Sequence, residues 1–296
     1  MTFYFKRILA DRDYERLDKF LRRTYSEIRL SVIQKFIRSG RVLIDDKRIR
    51  DKSYRLKKGQ TVLVKVAGDQ TQIMQKFGRT VPTHKPLQTE LKVIYEDEEM
   101  LVLNKPAGLS TQPGTNTSNK TIYNALLNYH SEFYLVHRLD KYTTGILIVA
   151  KDYEFSKLMS KLFRKHKVEK HYLALVYGLI TVSQELHDLI DGKRAVTLTK
   201  PEEFFDGYTL LDVETLTGRK HQIRQHLALQ NMPVVGDDVY GSKQKNDEFR
   251  KRFHLKGYFL HCREISFIHP QKHEKLSFTV PLDEGRSHIL KSLKRR

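Results

Sequence analysis

One stretch constrains this chain more than any other. Gly145-Ile146-Leu147-Ile148-Val149-Ala150 carries no polar side chain. It has the length of a strand and no alternation, which predicts a strand buried on both faces. Phe155, Leu158, Met159, Leu162 and Phe163 follow at helical spacing and read as core packing. From Leu91 onward strands alternate with helices. Lys92 to Tyr95 and Met100 to Asn104 are strand-like, 121–130 suggests a helix, and 171–177 and 208–215 read as strands. A helix is expected after Gly218, a strand near 258–268 and a basic helix over 286–296. Residues 67–90 are polar, without apolar periodicity, and carry Gly78, Pro82 and Pro86, so they read as a linker.

Charge separates the N-terminal part from the rest. The chain of 296 residues has 54 Lys and Arg against 35 Asp and Glu, a net charge of +19. Residues 14–66 hold 16 basic and 6 acidic residues, an excess of +10, so over half of the net charge sits in under a fifth of the chain. Concentrated positive charge favours a polyanionic partner, because each neutralised phosphate releases counterions. Within that segment Leu17, Phe20 and Leu21, and then Ile33, Phe36 and Ile37, mark the apolar faces of two short helices, and Gly40 stops the second. Short strands follow at Val42 to Ile44 and Thr61 to Val64. Arg22, Arg23, Arg29, Lys35, Arg38 and Arg41 lie off the apolar stripe and are the candidate contacts to nucleic acid. Cys262 is the single cysteine, which excludes an internal disulfide framework and a multi-cysteine zinc site. No apolar run reaches membrane-spanning length, and no signal peptide opens the chain, so a cytoplasmic, bacterial protein is expected.

The most specific stretch is Val136-His137-Arg138-Leu139-Asp140-Lys141-Tyr142-Thr143-Thr144-Gly145. It sets a carboxylate on a loop just before the buried strand, beside cationic Arg138 and several hydroxyls. A rigid strand is a good anchor for a reactive group. From the residues alone, a polar turn whose Asp140 caps local backbone accounts for the pattern as well. Likewise Tyr172 reads equally as a half-buried strand tyrosine, and Arg224 as a solvated helix arginine.

His137-Arg138-Leu139-Asp140, followed after two residues by Thr143-Thr144-Gly145, resembles the active-site motif of the RluA family of pseudouridine synthases, with Thr144 where the family usually has serine. The resemblance implies that Asp140 is the catalytic carboxylate. Lys170-His171-Tyr172-Leu173-Ala174 resembles the family strand whose tyrosine packs on the target base, which implies that role for Tyr172. Thr217-Gly218-Arg219-Lys220-His221-Gln222-Ile223-Arg224 resembles the helix whose arginine pairs with the catalytic aspartate, which implies that role for Arg224. Asn104-Lys105-Pro106-Ala107-Gly108, Pro233 to Gly241 and Pro281 to Gly285 also match. In the basic segment Arg16 to Leu21, Ile37 to Val42 and Tyr54 to Gly59 resemble the S4 RNA-binding domain, with Asp45-Asp46 where an asparagine-containing turn is usual. The combination is similar to the RluC-type synthases of large-subunit ribosomal RNA. The stretch from Leu179 to Ala195 looks shorter than in that group.

The resemblance implies an α+β architecture. An S4-like domain over 1–66, a linker over 67–90 and a catalytic domain over 91–296 are expected, the last with a mixed, largely antiparallel sheet and a central cleft. It implies isomerisation of uridine in structured RNA, most of all large-subunit ribosomal RNA, by a monomer without cofactor or metal. Arg138 is expected to touch the RNA, and Arg224 to keep Asp140 charged in a desolvated pocket. Two other readings stand beside it within RNA biology: a non-catalytic ribosome-assembly factor, and a synthase acting on transfer RNA. A metal-dependent hydrolase built on the thirteen histidines and Asp237-Asp238 lacks convincing ligand spacing, since His221 and His226 are five apart and fall on different helix faces.

Overall fold

The computed structural model describes residues 3–25, 28, 30–67, 86–114, 120–129 and 132–294. The chain divides into two compact units, Met1–His84 and Lys85–Arg296. Most of the expected linker, and Arg29, lie outside the described residues.

The first unit runs β1 (Phe3–Leu9), β2 (Glu15–Arg16), α1 (Leu17–Thr24), α2 (Leu30–Arg38), β3 (Val42–Ile44), β4 (Lys47–Ile49), β5 (Arg55–Leu56) and β6 (Thr61–Ala67). Four strands form an antiparallel sheet in the order β1-β6-β3-β4. The two apolar helix faces meet it: Leu17, Phe20, Leu21, Ile33, Phe36 and Ile37 pack with Val42, Ile44 and Val62 in one core. Asp45 and Asp46 make the turn between β3 and β4, with φ of 47° and 63°. Aspartate tolerates that left-handed backbone better than most residues. The Asp45 carboxylate also accepts from Thr61 N at 2.9 Å and Gln60 Nε2 at 2.8 Å. The two acids therefore serve the hairpin.

The second unit is built on a ten-stranded sheet. Its elements begin with β7 (Val93–Glu96), β8 (Met100–Lys105), α3 (Ile122–Tyr129), β9 (Tyr134–Leu135), β10 (Thr144–Ala150), α4 (Tyr153–Arg164) and β11 (Val168–Tyr177). They continue with β12 (Gln184–Leu186), β13 (Leu189–Ile190), β14 (Lys193–Arg194), β15 (Thr197–Phe205), β16 (Tyr208–Thr215), α5 (Gln222–Leu229) and α6 (Lys243–Phe253). The last are β17 (Leu260–Ile268), β18 (Lys275–Thr279) and α7 (Glu284–Lys294). The strand order is β12-β15-β16-β11-β17-β10-β8-β7, with β18 beside β17 and β9 beside β10. Pairing in this sheet is antiparallel except between β10 and β17, so it is mixed and largely antiparallel as expected.

The apolar run is β10, and every residue of it is buried. Alternation sends its side chains to two cores. Ile146, Ile148 and Ala150 join Met100, Val102 and the α4 residues Phe155 and Met159. Leu147 and Val149 join Leu101, Leu103 and the α3 residues Ile122 and Leu126. Each such side chain contributes about 2 kcal/mol on burial, so the loop entering β10 is tied to the most firmly held strand of the sheet.

Gly145 makes the parallel step possible. Its φ is 103°, and a Cβ there would lie 2.1 Å from the Cys262 carbonyl oxygen. Only a residue without a side chain fits where β10 and β17 close on each other.

Candidate active site

Asp140 stands on the loop before β10, and the loop is held from several sides. Thr111 Oγ1 donates to Leu139 O at 2.7 Å and accepts from Leu139 N at 3.0 Å. Gly108 N donates to Lys141 O. Lys105, fully buried, donates to Pro106 O, Leu109 O and Lys141 O at 3.0, 2.8 and 3.2 Å. Burial pushes the Lys105 pKa down to about 7. Three carbonyl acceptors, one for each N–H of an ammonium, favour the charged form. Arg286 of α7, 3% exposed, donates to Tyr142 O at 3.1 Å and Tyr258 O at 2.8 Å while its other nitrogen holds Asp283. Few conformations remain to the Asp140 backbone.

The carboxylate meets an arginine that is itself fixed. Arg224 Nη1 lies 3.3 Å from Asp140 Oδ2, while its Nε and Nη2 make a two-pronged pair with Asp237 at 2.6 and 2.8 Å. Asp237 is fully buried, and its Oδ1 also accepts from Val239 N and Tyr240 N. The guanidinium lies 4.4 Å from the Tyr258 ring centroid and 5.0 Å from that of Tyr240. Burial opposes the charge on Arg224, but the hydrogen bonds to Asp237 and the fields of Tyr258, Asp237 and Asp140 outweigh it, so its pKa stays above the ordinary arginine value. Tyr258 OH reaches Asp140 Oδ2 at 3.5 Å and Thr143 Oγ1 at 3.2 Å. Burial, then Asp140, raises the Tyr258 pKa.

His221 enters the same site in a left-handed conformation at the start of α5. Its Nε2 is 3.7 Å from Asp140 Oδ2 and its Nδ1 is 2.9 Å from Tyr240 OH. Burial lowers its pKa, against the pull of Asp140. His226 points elsewhere: it is fully buried against Thr197 Oγ1 and Asp188 O. His137 Nε2 accepts from Ile148 N at 2.8 Å, and its ring stacks on Phe163. Burial pushes its pKa down to about 3, so it is a neutral acceptor that ties the loop to β10. His261 is equally structural, between Thr144 Oγ1 and Val280 O, with its pKa pushed down to about 4 by burial.

A cleft of about 690 Å³ opens beside Asp140 and is also lined by Tyr172, Arg224, Arg138, His221 and Lys170. Tyr172 sits on β11 with its ring packed partly against two cores. Its hydroxyl interacts with Cys262 and Thr215, and burial raises its pKa well above the ordinary value. A second hollow of about 560 Å³ adjoins it, and Arg138, Asp140, His221 and Arg224 line both. The three residues singled out in sequence, Asp140, Tyr172 and Arg224, thus line one cleft, with exposed Arg138 at its wall. Sequence reasoning missed Asp237 and Tyr258. Asp237-Asp238 after Gly236 reads as a turn, and Asp237 does cap one. Its signal as a partner is its place in an otherwise apolar stretch, Pro233-Val234-Val235-Gly236.

Of the candidate basic residues in the first unit, Arg22, Lys35, Arg38 and Arg41 are exposed. Arg23 differs. It pairs with Asp11 at 2.5 Å and Glu15 at 2.7 Å, so its charge is largely answered within the unit.

One group could hold a metal by composition. Asp97, Glu99 and His269 bring ligand atoms within 4.8 Å of one another. His269 Nδ1 accepts from Gln271 N and Lys272 N, which leaves the ring proton on Nε2, an atom 3.1 Å from Glu99 Oε2. The Lys272 ammonium stands 3.4 Å from Asp97 and 3.2 Å from Glu99. A lysine already supplies the cation, and the imidazole has no lone pair free for a metal. Among the described residues no helix is long and apolar enough to cross a membrane.

Comparison with known proteins gives this site a class. Residues 99–229 match the family model described as RNA pseudouridylate synthase, and residues 15–62 match the S4 domain. The chain is 32% identical to Ribosomal large subunit pseudouridine synthase C of Buchnera aphidicola, over 98% of this chain and 97% of that one. It is 31% identical to the protein of the same name in Escherichia coli, over 97% and 95%. Human RNA Pseudouridylate Synthase Domain Containing 4 shares the fold, at a TM-score of 0.56 and 24% identity, over 69% of this chain and 93% of that one. The chain belongs to the RNA pseudouridine synthase family, and is an isomerase of uridine in RNA. Within that family it is of the RluA type, and it is similar over nearly its whole length to the RluC-type synthases, with an S4 domain at its N-terminal end.

Proposed function

We infer that the chain converts uridines of large-subunit ribosomal RNA to pseudouridine, with Asp140 as catalytic carboxylate. The reaction breaks the N1–C1′ bond, joins C5 to C1′, removes the proton from C5 and places one on N1. Nothing is oxidised or reduced, so side chains can supply the chemistry. A carboxylate can act as nucleophile or base, or stabilise positive charge developing on the sugar. The observation that carries the reading is the placement of Asp140 on a pinned loop at a nucleotide-sized cleft, 3.3 Å from a buried arginine.

In this reading Arg224 supplies the opposing charge and fixes the carboxylate's direction. Tyr172 offers its ring to the target base, a kind of contact worth about 1–3 kcal/mol. Arg138, exposed beside Asp140, contacts the RNA, which must release the base from its stack at a cost of a few kcal/mol. The names of the relatives support ribosomal RNA over transfer RNA. The first unit, with exposed Arg22, Lys35, Arg38 and Arg41, supports attachment to structured RNA, and residues 1–66 and 91–296 are the division of labour proposed.

The test pairs a transcript of large-subunit ribosomal RNA with Asp140→Asn. Wild type should form pseudouridine at discrete positions, and the variant should bind RNA equally and form none. Full activity in a clean preparation of the variant removes Asp140 from the reaction. Modification of transfer RNA alone removes the substrate assignment.

A further inference from the structure

The cleft has a second end that the chemistry at Asp140 does not use. Lys170 lies on β11 two residues before Tyr172, so the two side chains share a face, roughly 7 Å apart along the strand. Lys170 is 8% exposed and lines the cleft. Among the described residues its ammonium has no hydrogen-bond or ion-pair partner. Burial lowers its pKa, and the groups that act against this are Cys262 and Glu214. The Cys262 thiol is itself pushed up to about 12 by burial, so it brings no charge at neutral pH. Its side chain is buried while its ammonium opens on the cleft, so a charge with no partner among the described residues is offered to whatever enters there.

Its surroundings add positive charge. His166, exposed after the end of α4, has its pKa lowered by burial and then by the fields of Lys170 and Arg219, so it stands near both as a neutral imidazole. Arg164 is exposed and lines the same cleft. Among the described residues Asp140 is the only acid lining it.

We propose that Lys170, with Arg164, His166 and Arg219 around it, forms a subsite for a phosphodiester of the RNA strand whose base reaches Asp140. A buried lysine gives the site a fixed anchor, Arg164 and Arg219 close over the phosphate from the rim, and the neutral His166 can donate a ring N–H to it. The spacing from Tyr172 is of the order that separates a base from a phosphate of the same chain. The inference deepens the function proposed above and takes from it the presence of a target nucleotide beside Tyr172.

The experiment uses the full chain with Lys170→Met, Lys170→Arg and, as a change confined to the surface, Arg164→Gln. Turnover on a large-subunit ribosomal RNA transcript is measured across potassium chloride concentrations. Lys170→Met should raise KM about tenfold with kcat within twofold, and reduce the slope of log(kcat/KM) against log salt by about one. Lys170→Arg should restore both, and Arg164→Gln should shift KM in the same direction by a smaller factor. A fall in kcat at unchanged KM overturns the proposal in favour of a contact to the base. Unchanged kinetics and slope in Lys170→Met overturn it outright. If wild type leaves the transcript unmodified, the ribosomal RNA assignment fails. The subsite is then decided by the salt slope for binding a fluorescein-labelled oligouridylate, where an equal slope in wild type and Lys170→Met overturns it.

Discussion

The two ends of the cleft treat charge in opposite ways. At one end Asp140, Arg224 and Asp237 form a chain of alternating sign, with Tyr258, Tyr240 and His221 packed around it. At the other, Lys170 and Arg219 stand near a neutral His166, and among the described residues no acid lines that end, Glu214 acting on Lys170 from outside the lining. An end whose charges are answered within the protein is set before substrate arrives, which suits electrostatic work on a reacting bond. An end whose charges are unanswered is completed by substrate, which suits holding.

The comparison can be tested from its largest consequence downward. Asp140→Asn should lower pseudouridine formation more than about a thousandfold, measured as single-turnover rate, with RNA affinity unchanged. Asp237→Asn should cost about 3–5 kcal/mol of stability, because it leaves a buried guanidinium half-paired. Chemical denaturation reads this, and activity should fall too as Arg224 loses its direction. Acid should act on the neutral histidines that brace the paired end. His137 and His261 have folded pKa values of about 3 and about 4, below the ordinary 6.5, so the unfolded chain takes up protons first. Stability is full above pH 6.5 and falls as pH drops toward 4, by about 1.4 kcal/mol per pH unit for each group. Urea melts at pH 7 and pH 5 measure it, and equal midpoints contradict it. Tyr258→Phe should cost about 1 kcal/mol through its hydroxyl contacts to Thr143 and Asp140. Lys170→Met should leave stability unchanged or raise it by about 1 kcal/mol, since it removes a partly desolvated charge that has no partner among the described residues. A large loss there would mean that Lys170 is answered within the fold, and the contrast between the two ends would disappear.

How much of this was legible in sequence depends on where each determinant lies. β10 and α4 were readable because their apolar pattern is local and strong. The Asp140 loop was readable as a motif, and the family resemblance brought Tyr172 and Arg224 into one expected site. β15 was not seen, since Lys200, Pro201, Glu202 and Glu203 interrupt its pattern and its register shifts between Pro201 and Glu203. α6 was not seen because its face is nearly all polar, with only Asn246 and Phe249 buried. Asp237 looked like a turn residue because it is one; its second duty depends on Arg224, thirteen residues away. Arg23 looked like an RNA contact from its place on α1, and only the fold brings Asp11 and Glu15 to it. The missing partner of Lys170 is a property of three-dimensional surroundings, and no spacing of letters carries it.

One tether reaches beyond the chemistry. Arg286 belongs to α7, yet its guanidinium grips the backbone of Tyr142 on the Asp140 loop and of Tyr258 beneath it. α7 leaves the ribosome after the other elements that build this cleft. A chain made from its N-terminus therefore gains this clamp on the Asp140 loop only after the strands and helices that form the cleft have been synthesised.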